Sequence, residues 1–195
     1  TKLCSDKLFV AANNMKGDRE LRLMVVRYGN VIGSRGSVVP FFLKQKETGV
    51  LPITHEEMTR FNISLEDGVQ LVLTALEHGW GGEIYVPKIP SFKITDLATA
   101  IAPECKQEIV GIRPGEKLHE EMITETDSIY SVEFDNHFVI LPSTPTFKRE
   151  AYVQEKNGKE LPLGFSFTSG TNSTFLNVEE LREEIRKHVD PNFQP

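Results

Sequence analysis

The feature that most constrains the fold is residues 21–28, a segment that contains a compact apolar run and leads directly into a glycine-rich loop. An apolar run without polar alternation indicates a strand that is buried on both faces of a sheet. The loop contains Gly29, Gly33 and Gly36, and glycine allows a backbone to approach a ligand closely. Pro40 follows and suits the first turn of a helix. The segment therefore predicts a buried strand, a ligand-facing loop and a helix in succession.

Strands and helices alternate along residues 1–141. Apolar residues at helical spacing, with Gly or Pro near the ends, predict helices at residues 1–14, 40–48, 65–78, 95–102, 118–123 and 178–188. Short apolar and β-branched runs predict further strands at residues 51–54, 59–64, 83–87, 108–112 and 137–141. The alternating order predicts an α/β protein.

Composition excludes several classes of function. The formal net charge is −6, so the chain lacks the basic footprint of a nucleic-acid-binding protein. No apolar run approaches the roughly 20 residues that cross a bilayer. Cys4, Cys105 and the five histidines show no metal-ligand spacing, which predicts no metal site and free thiols in a reducing cytoplasm. The chain opens in a predicted helix without an initial Met, so we expect a fragment of a longer protein.

Charged residues in two downstream motifs have the chemistry that a nucleotide requires. Arg60 lies in the string MTRF, and a guanidinium suits a diphosphate because its donors form a rigid fork and its charge is permanent. The alternative is that Arg60 forms a structural salt bridge. In the string RPGEK, the proline and glycine favour a turn in which Arg113 and Glu116 face one ligand.

Several strings together resemble one family of enzymes. Residues 27–42 (RYGNVIGSRGSVVPFF) and 113–120 (RPGEKLHE) are similar to segments of the extended short-chain dehydrogenases, most of all to the inverting UDP-N-acetylglucosamine 4,6-dehydratases. The opening TKLCSDK resembles the helix that carries a catalytic Tyr-x-x-x-Lys pair, with Lys2 as the lysine and the tyrosine three residues before Thr1. Asn62 departs from the family pattern, which has an aromatic residue there.

The resemblance implies a role for each matching residue. Lys2 would be catalytic and would also bind the cofactor, because its ammonium lowers the pKa of the family's tyrosine and hydrogen-bonds the nicotinamide ribose. The other cofactor contacts would be Val31, Ile32, Gly33, Ser34 and Arg35. The substrate contacts would be Asn30, Val38, Thr54, Arg60, Arg113 and Glu116. Arg113 would hold a phosphate, and Glu116 would accept hydrogen bonds from the ribose hydroxyls.

The resemblance also implies how the chain is organised. Residues 1–50 would form the C-terminal part of a Rossmann cofactor domain, and residues 51–141 mainly a substrate-binding domain. Residues 142–195 would form an extension that latches onto the body or onto a neighbouring subunit of a homo-oligomer.

The implied activity is that of a hydro-lyase with NADP as cofactor and a UDP-sugar as substrate. UDP-N-acetylglucosamine would be oxidised at C4, lose water across C5 and C6, and be reduced at C6 with inversion at C5, giving a UDP-4-keto-6-deoxy-L-arabino-hexulose. The family's tyrosine and Asp-Lys pair would precede Thr1, so we expect this chain alone to be inactive. Products of this kind feed bacterial surface polysaccharides or pseudaminic acid. The alternatives are an NDP-sugar 4-epimerase or retaining dehydratase of the same fold, and a non-catalytic UDP-sugar-binding domain.

Overall fold

The structure is a computed structural model that describes the backbone of residues 2–195 and the side chains of residues 4–195. The predicted α/β class is confirmed, since helices and strands are interspersed along the chain. The helices are α1 Lys2–Asn14, α2 Val38–Gln45, α3 Leu65–His78, α4 Ile94–Ile101, α5 Arg149–Lys156 and α6 Val178–His188. The strands are β1 Val25–Val26, β2 Asn30–Val31, β3 Val50–Ile53, β4 Thr59–Ile63, β5 Ile84–Pro87, β6 Ser91–Lys93, β7 Lys106–Ile109, β8 Glu121–Ile123, β9 Ser131–Glu133, β10 His137–Ile140, β11 Lys159–Glu160 and β12 Phe167–Thr168.

The chain forms two compact units, each assembled from three separate segments. The first unit contains Thr1–Tyr28, Glu66–Lys88 and Met122–Phe167, and the second contains Gly29–Leu65, Ile89–Glu121 and Thr168–Pro195. The sequence predicts contiguous ranges divided at residues 50 and 141, whereas each compact unit draws on all three ranges. The functional assignment of those ranges stays a prediction.

The first unit is built on a five-stranded sheet in the order β1-β5-β10-β9-β11. β1 is parallel to β5, and the other neighbours in this sheet are antiparallel. Leu71 and Ala75 of α3 pack with Tyr85, Val139 and Tyr152 in its core. Burial raises the pKa of Tyr85 to about 12, against the lowering effect of its hydrogen bond with Tyr152. Burial raises the pKa of Tyr152 as well, so the core favours the neutral form of both phenols.

The second unit contains a three-stranded sheet, β2-β4-β6, and a two-stranded sheet, β3-β7. β2 is parallel to β4 and β3 is parallel to β7, whereas β4 and β6 are antiparallel. Phe42 of α2, Leu97 and Ile101 of α4, and Leu181 and Ile185 of α6 are at most 1% exposed and form one cluster. The apolar face of the C-terminal helix is thus part of this core.

Most predicted helices lie close to the observed ones. The predicted ranges 65–78 and 178–188 coincide with α3 and α6, and the range 1–14 agrees with α1 over the residues that the structure describes. The prediction of a buried strand at residues 21–28 is wrong in length and burial. Only Val25 and Val26 pair with β5, and both are half-buried. β1 lies at the edge of its sheet, and among residues 2–195 it has β5 as its single neighbour. The sequence also misses α5 and the strands β2, β6, β9, β11 and β12.

The predicted helix at residues 118–123 is wrong, since these residues form a loop followed by β8. The carbonyl oxygen of Leu118 accepts hydrogen bonds from the Thr59 amide (3.2 Å) and the Arg60 guanidinium (3.1 Å). The carbonyl oxygen of Glu120 accepts from the amide of Ser169 (2.8 Å). Distant segments therefore satisfy the backbone groups that a helix would pair internally.

The amphipathic pattern of α3 does not coincide with its buried face. Gly68, Leu71 and Ala75 are buried. The apolar residues that suggest the helix remain exposed, namely Leu65, Val69, Val72, Leu73 and Leu76. None of the helices in residues 2–195 is long and apolar enough to cross a bilayer.

Candidate functional site

The glycine-rich loop places β2 directly beside β4. Asn30 and Val31 pair with Asn62 and Ile63 in parallel register. Gly29 makes this approach possible, because a Cβ atom there would lie 2.5 Å from Cβ of Phe61. A glycine is therefore required at this position by the packing of two strands, independently of any ligand.

A small cavity of about 20 Å³ lies at the start of α2. Such a volume holds roughly one water molecule. The Oγ atom of Ser37 is buried there without a hydrogen-bond partner among the described residues. The lining of the cavity includes four residues of the predicted site, Asn30, Val31, Ile32 and Val38. The other residues that line it are Ser37, Val39, Asn62, Phe92, Leu97 and Leu181. The structure therefore brings predicted substrate and cofactor residues to one wall.

Arg60, in β4, is anchored by one of its nitrogens and leaves an edge for charged partners. Nη1 donates to the carbonyl oxygens of Thr59 (2.7 Å) and Leu118 (3.1 Å). Nη2 lies 3.8 Å from Glu116 Oε1, and Nε lies 3.8 Å from Glu120 Oε1. The side chain is only 12% exposed. Arg60 thus forms salt bridges, as the structural interpretation predicts. At 3.8 Å these ion pairs are long, so another anion could displace the carboxylates.

Glu120 connects Arg60 with Asn30. With the Asn30 amide nitrogen facing the carboxylate, Nδ2 donates to Oε2 (3.0 Å) and Oε1 (3.1 Å) of Glu120. Asn30 and Arg60 lie on the paired strands β2 and β4 of one segment of the second unit, and Glu120 comes from another segment. The sequence pattern predicts Glu120 on a solvated helix face, and this interpretation is wrong.

The loop that carries Arg113 and Glu116 is exposed and turns through two glycines with positive φ, Gly111 (90°) and Gly115 (83°). Glu116 Oε2 accepts from the backbone amide of Arg113 (3.3 Å), while its Oε1 faces Arg60. The Arg113 guanidinium has no ion-pair partner among the described residues. Glu116 is therefore brought to the Arg60 group, whereas the Arg113 side chain is exposed to solvent.

Other predicted residues lie apart from this group. Thr54 follows β3 and is half-buried. Gly33, Ser34 and Arg35 form a turn outside the cavity wall, with φ +71° at Gly33. The Lys2 side chain, predicted to be catalytic, lies outside the described residues.

The sequence does not predict the polar network that lies beside Arg60. The hydroxyl of Thr59 lies 2.8 Å from His119 Nδ1 and 2.8 Å from Ser169 Oγ. Ser169 is fully buried, and its Oγ also accepts from the amide of Glu120 (2.8 Å). Thr59 and Ser169 are 110 residues apart, so no local pattern could have linked them.

Residues 31–35 combine apolar side chains with a cationic side chain, and these could contact the edge of a nucleotide cofactor. Val31 and Ile32 provide an apolar wall, and Arg35 provides an exposed cation. The buried Ser37 hydroxyl adds a polar group. The cavity is too small to enclose a cofactor ring, so these residues would contact only part of it. Over residues 2–195, no group of three or more His, Cys, Asp or Glu side chains is placed to hold a metal ion.

Comparison with known proteins gives relatives among enzymes of nucleotide sugars. The chain is 52% identical over 191 residues to a UDP-N-acetylglucosamine 4,6-dehydratase (inverting) of Campylobacter jejuni subsp. jejuni serotype O:2, covering 95% of the chain and 57% of that relative. It is 38% identical over 188 residues to a UDP-glucose 4-epimerase of Rickettsia conorii, covering 94% of the chain and 54% of that relative. The chain thus spans little more than half the length of these relatives.

The X-ray structure of Pen from Bacillus thuringiensis is similar with a TM-score of 0.82 and 32% sequence identity, covering 95% of this chain and 56% of that one. The family model described as polysaccharide biosynthesis protein matches residues 1–142. The predicted resemblance to the inverting dehydratases is confirmed by these relatives. The chain belongs to the polysaccharide biosynthesis protein family.

Proposed function

We propose that this chain is the UDP-sugar-binding part of an inverting UDP-N-acetylglucosamine 4,6-dehydratase, a hydro-lyase. The observation that carries the proposal is that three predicted substrate contacts, Asn30, Arg60 and Glu116, are brought to one group. Asn30 and Arg60 come from paired strands of one segment of the second unit, and Glu116 comes from another segment. The 52% identity to an enzyme of that name supports the choice of reaction.

Arg60 is suited to bind the diphosphate of the substrate. Because Nη1 is held by two backbone carbonyls, the Nε and Nη2 edge has a defined direction. Two carboxylates occupy that edge at 3.8 Å, longer than a good charge-assisted hydrogen bond. A phosphate could form bidentate bonds with the same edge, and the exposed Arg113 would add a second cation.

Glu116 and Asn30 would recognise the uncharged parts of the substrate. A carboxylate only accepts hydrogen bonds, which suits Glu116 to the ribose hydroxyls. Asn30 lines the cavity wall and would contact the substrate beside Val38. Thr54 would lie against the nucleotide.

We further propose NADP as the cofactor, held in part by Val31, Ile32, Gly33, Ser34 and Arg35, with Lys2 on the nicotinamide ribose. A bound nicotinamide cofactor would supply the acceptor and donor of hydride, while the protein positions the sugar. The whole enzyme would act in the cytoplasm as a homo-oligomer in the synthesis of a surface polysaccharide or pseudaminic acid.

The test is product analysis of the protein in its natural full length. Incubation with UDP-N-acetylglucosamine and NADP should give a 4-keto-6-deoxy sugar nucleotide with inverted C5, identified by NMR. Arg60→Ala should raise KM about tenfold or more, since it removes a charged contact. Arg19→Ala, which removes an exposed arginine of the first unit, should leave KM unchanged.

The 195-residue chain itself should bind UDP in calorimetry and form no 4-keto product. A product that retains the C6 hydroxyl and differs only at C4 would instead support a 4-epimerase, which the 38% identity to the Rickettsia enzyme favours as the second candidate. Absence of UDP binding in both forms of the protein would contradict either function.

A further inference from the structure

We propose that Glu120 is a positioning residue of the sugar-nucleotide site, which orients Asn30 so that its carbonyl oxygen accepts a hydrogen bond from a hydroxyl or N–H group of the substrate. The inference rests on the proposed function, since it needs Asn30 to contact the sugar nucleotide. The Glu120 carboxylate lies beside the proposed substrate contacts Asn30 and Arg60, and its role would be to hold Asn30 in place.

Glu120 sets the direction of the Asn30 amide. One of the two amide atoms of Asn30 lies 3.0 and 3.1 Å from the two oxygens of Glu120, and its chemistry assigns it as Nδ2. A carboxylate accepts hydrogen bonds and cannot donate them, so it selects the amide nitrogen and excludes the amide oxygen. The oxygen Oδ1 consequently points away from Glu120. Asn30 is thereby presented to a ligand as an acceptor.

Glu120 is itself held in place through both of its backbone groups. Its amide donates to Ser169 Oγ (2.8 Å), and its carbonyl oxygen accepts from the Ser169 amide (2.8 Å). Ser169 is fully buried and belongs to the C-terminal segment of the second unit. A carboxylate on a backbone fixed in this way can impose a geometry on an exposed side chain such as Asn30.

The charge of Glu120 has an effect of its own on ligand binding. The Glu120 carboxylate lies 3.8 Å from Arg60 Nε, near the edge proposed for the diphosphate. A negative charge there opposes the binding of an anionic ligand, so its electrostatic effect is unfavourable. The presence of a glutamate at this position is explained if its hydrogen bonds to Asn30 favour substrate binding by more free energy than its negative charge opposes it. The two effects have opposite signs, and substitution can therefore separate them.

The experiment measures the Kd of UDP-N-acetylglucosamine by calorimetry with the protein in its natural full length. Glu120→Ala removes both the charge and the acceptor, and should weaken binding about tenfold. Glu120→Gln keeps an acceptor for Asn30 and removes the charge, so its Kd should stay within about threefold of the unsubstituted protein or decrease. Glu121→Ala, a substitution of the exposed neighbour, is the matched control and should leave the Kd unchanged.

A double-mutant cycle separates positioning from general destabilisation. If Glu120 acts through Asn30, Glu120→Ala should have no further effect on the Kd in an Asn30→Ala background. Additive losses would overturn the proposal, as would a tenfold loss in Glu120→Gln. Should Glu120→Ala fail to fold, Glu120→Met, which keeps the length of the side chain and removes the acceptor, takes its place in the cycle with Asn30→Ala.

A ligand-free measurement distinguishes this inference from the proposed function. The side-chain amide resonances of Asn30 in a ¹⁵N–¹H spectrum should shift in Glu120→Ala and be preserved in Glu120→Gln. If the unsubstituted protein does not bind the sugar nucleotide but these shifts occur, the proposed function fails while the orientation of Asn30 by Glu120 holds. Unchanged Asn30 resonances in Glu120→Ala would overturn the inference even if the protein binds its substrate.

Discussion

At the scale of single residues, Arg60 shows how one side chain can serve the fold and a ligand at once. Two hydrogen bonds to backbone carbonyls fix the guanidinium, and two carboxylates face its remaining edge. The salt-bridge and the nucleotide-binding interpretations of Arg60 are therefore compatible. A substrate would exchange the loosely held carboxylates for phosphate oxygens without moving the anchor.

Gly29 provides a prediction about packing at the same scale. In Gly29→Ala the new Cβ would lie 2.5 Å from Phe61 Cβ and 3.3 Å from the Phe61 carbonyl oxygen, so two paired strands would have to separate. We expect the free energy of unfolding of the second unit to fall by about 1–3 kcal/mol. Urea unfolding followed by circular dichroism measures this change.

Gly68→Ala is the matched control, because a Cβ at Gly68 meets nothing within 4 Å and the residue lies inside α3. It should raise the free energy of unfolding by up to about 1 kcal/mol, since alanine favours a helix interior over glycine. Equal effects of the two substitutions would show that the contact with Phe61 does not determine stability.

At the scale of elements, strand β10 carries a titratable residue within the aromatic part of the first unit. His137 stacks between Tyr85 and Phe134, with ring centroids 5.5 and 4.9 Å apart. Burial lowers the pKa of His137 from 6.5, and the nearby His78 and Lys88 lower it further. The unfolded chain therefore takes up this proton at a higher pH than the folded chain does.

It follows that the contribution of His137 to stability is present above about pH 6.5 and is lost as the pH falls below it. The thermal midpoint of the first unit should decrease between pH 7 and pH 5. His137→Phe keeps the stacking and removes the titration, so the decrease should be smaller in this variant. Identical pH dependence in the two proteins would exclude His137 as a source of acid sensitivity.

The two helices α3 and α6 show how far a sequence pattern predicts an element. Both have the predicted bounds, because helical spacing and terminal residues are local properties. Asn177 even forms a capping box with Glu180, which begins α6 by local hydrogen bonds alone. The local pattern does not predict equally well which face of each helix is buried. Leu181 and Ile185 are fully buried in α6, whereas Leu73 and Leu76 of α3 are 51% and 63% exposed.

At the scale of the whole molecule, the exposed stripe of α3 is an apolar surface that favours association. It comprises Val69, Val72, Leu73 and Leu76, each at least 40% exposed. Contiguous apolar surface of this kind is costly in water and tends to bind other apolar surfaces. We expect the 195-residue chain to self-associate at high concentration through this stripe.

Replacing both leucines by lysine, Leu73→Lys with Leu76→Lys, should reduce this association in sedimentation velocity. The free energy of unfolding should change by no more than about 0.5 kcal/mol, because the side chains are exposed. Leu71→Ala on the buried face is the control, and should cost about 2–5 kcal/mol without reducing association. Undiminished association of the double variant would show that another surface is responsible.

The amino-acid sequence by itself determined the α/β class, the bounds of α3 and α6, and the motifs that carry Asn30, Arg60 and Glu116. These depend on neighbours within a few positions along the chain, where spacing and capping act directly. Only the tertiary structure decided that residues 118–120 form a loop instead of a helix, and that Glu120 joins Asn30 to Arg60. The physical reason is that the hydrogen bonds of this loop come from β4 and from Ser169, 49 residues away from Glu120, and no local pattern encodes a partner at that distance.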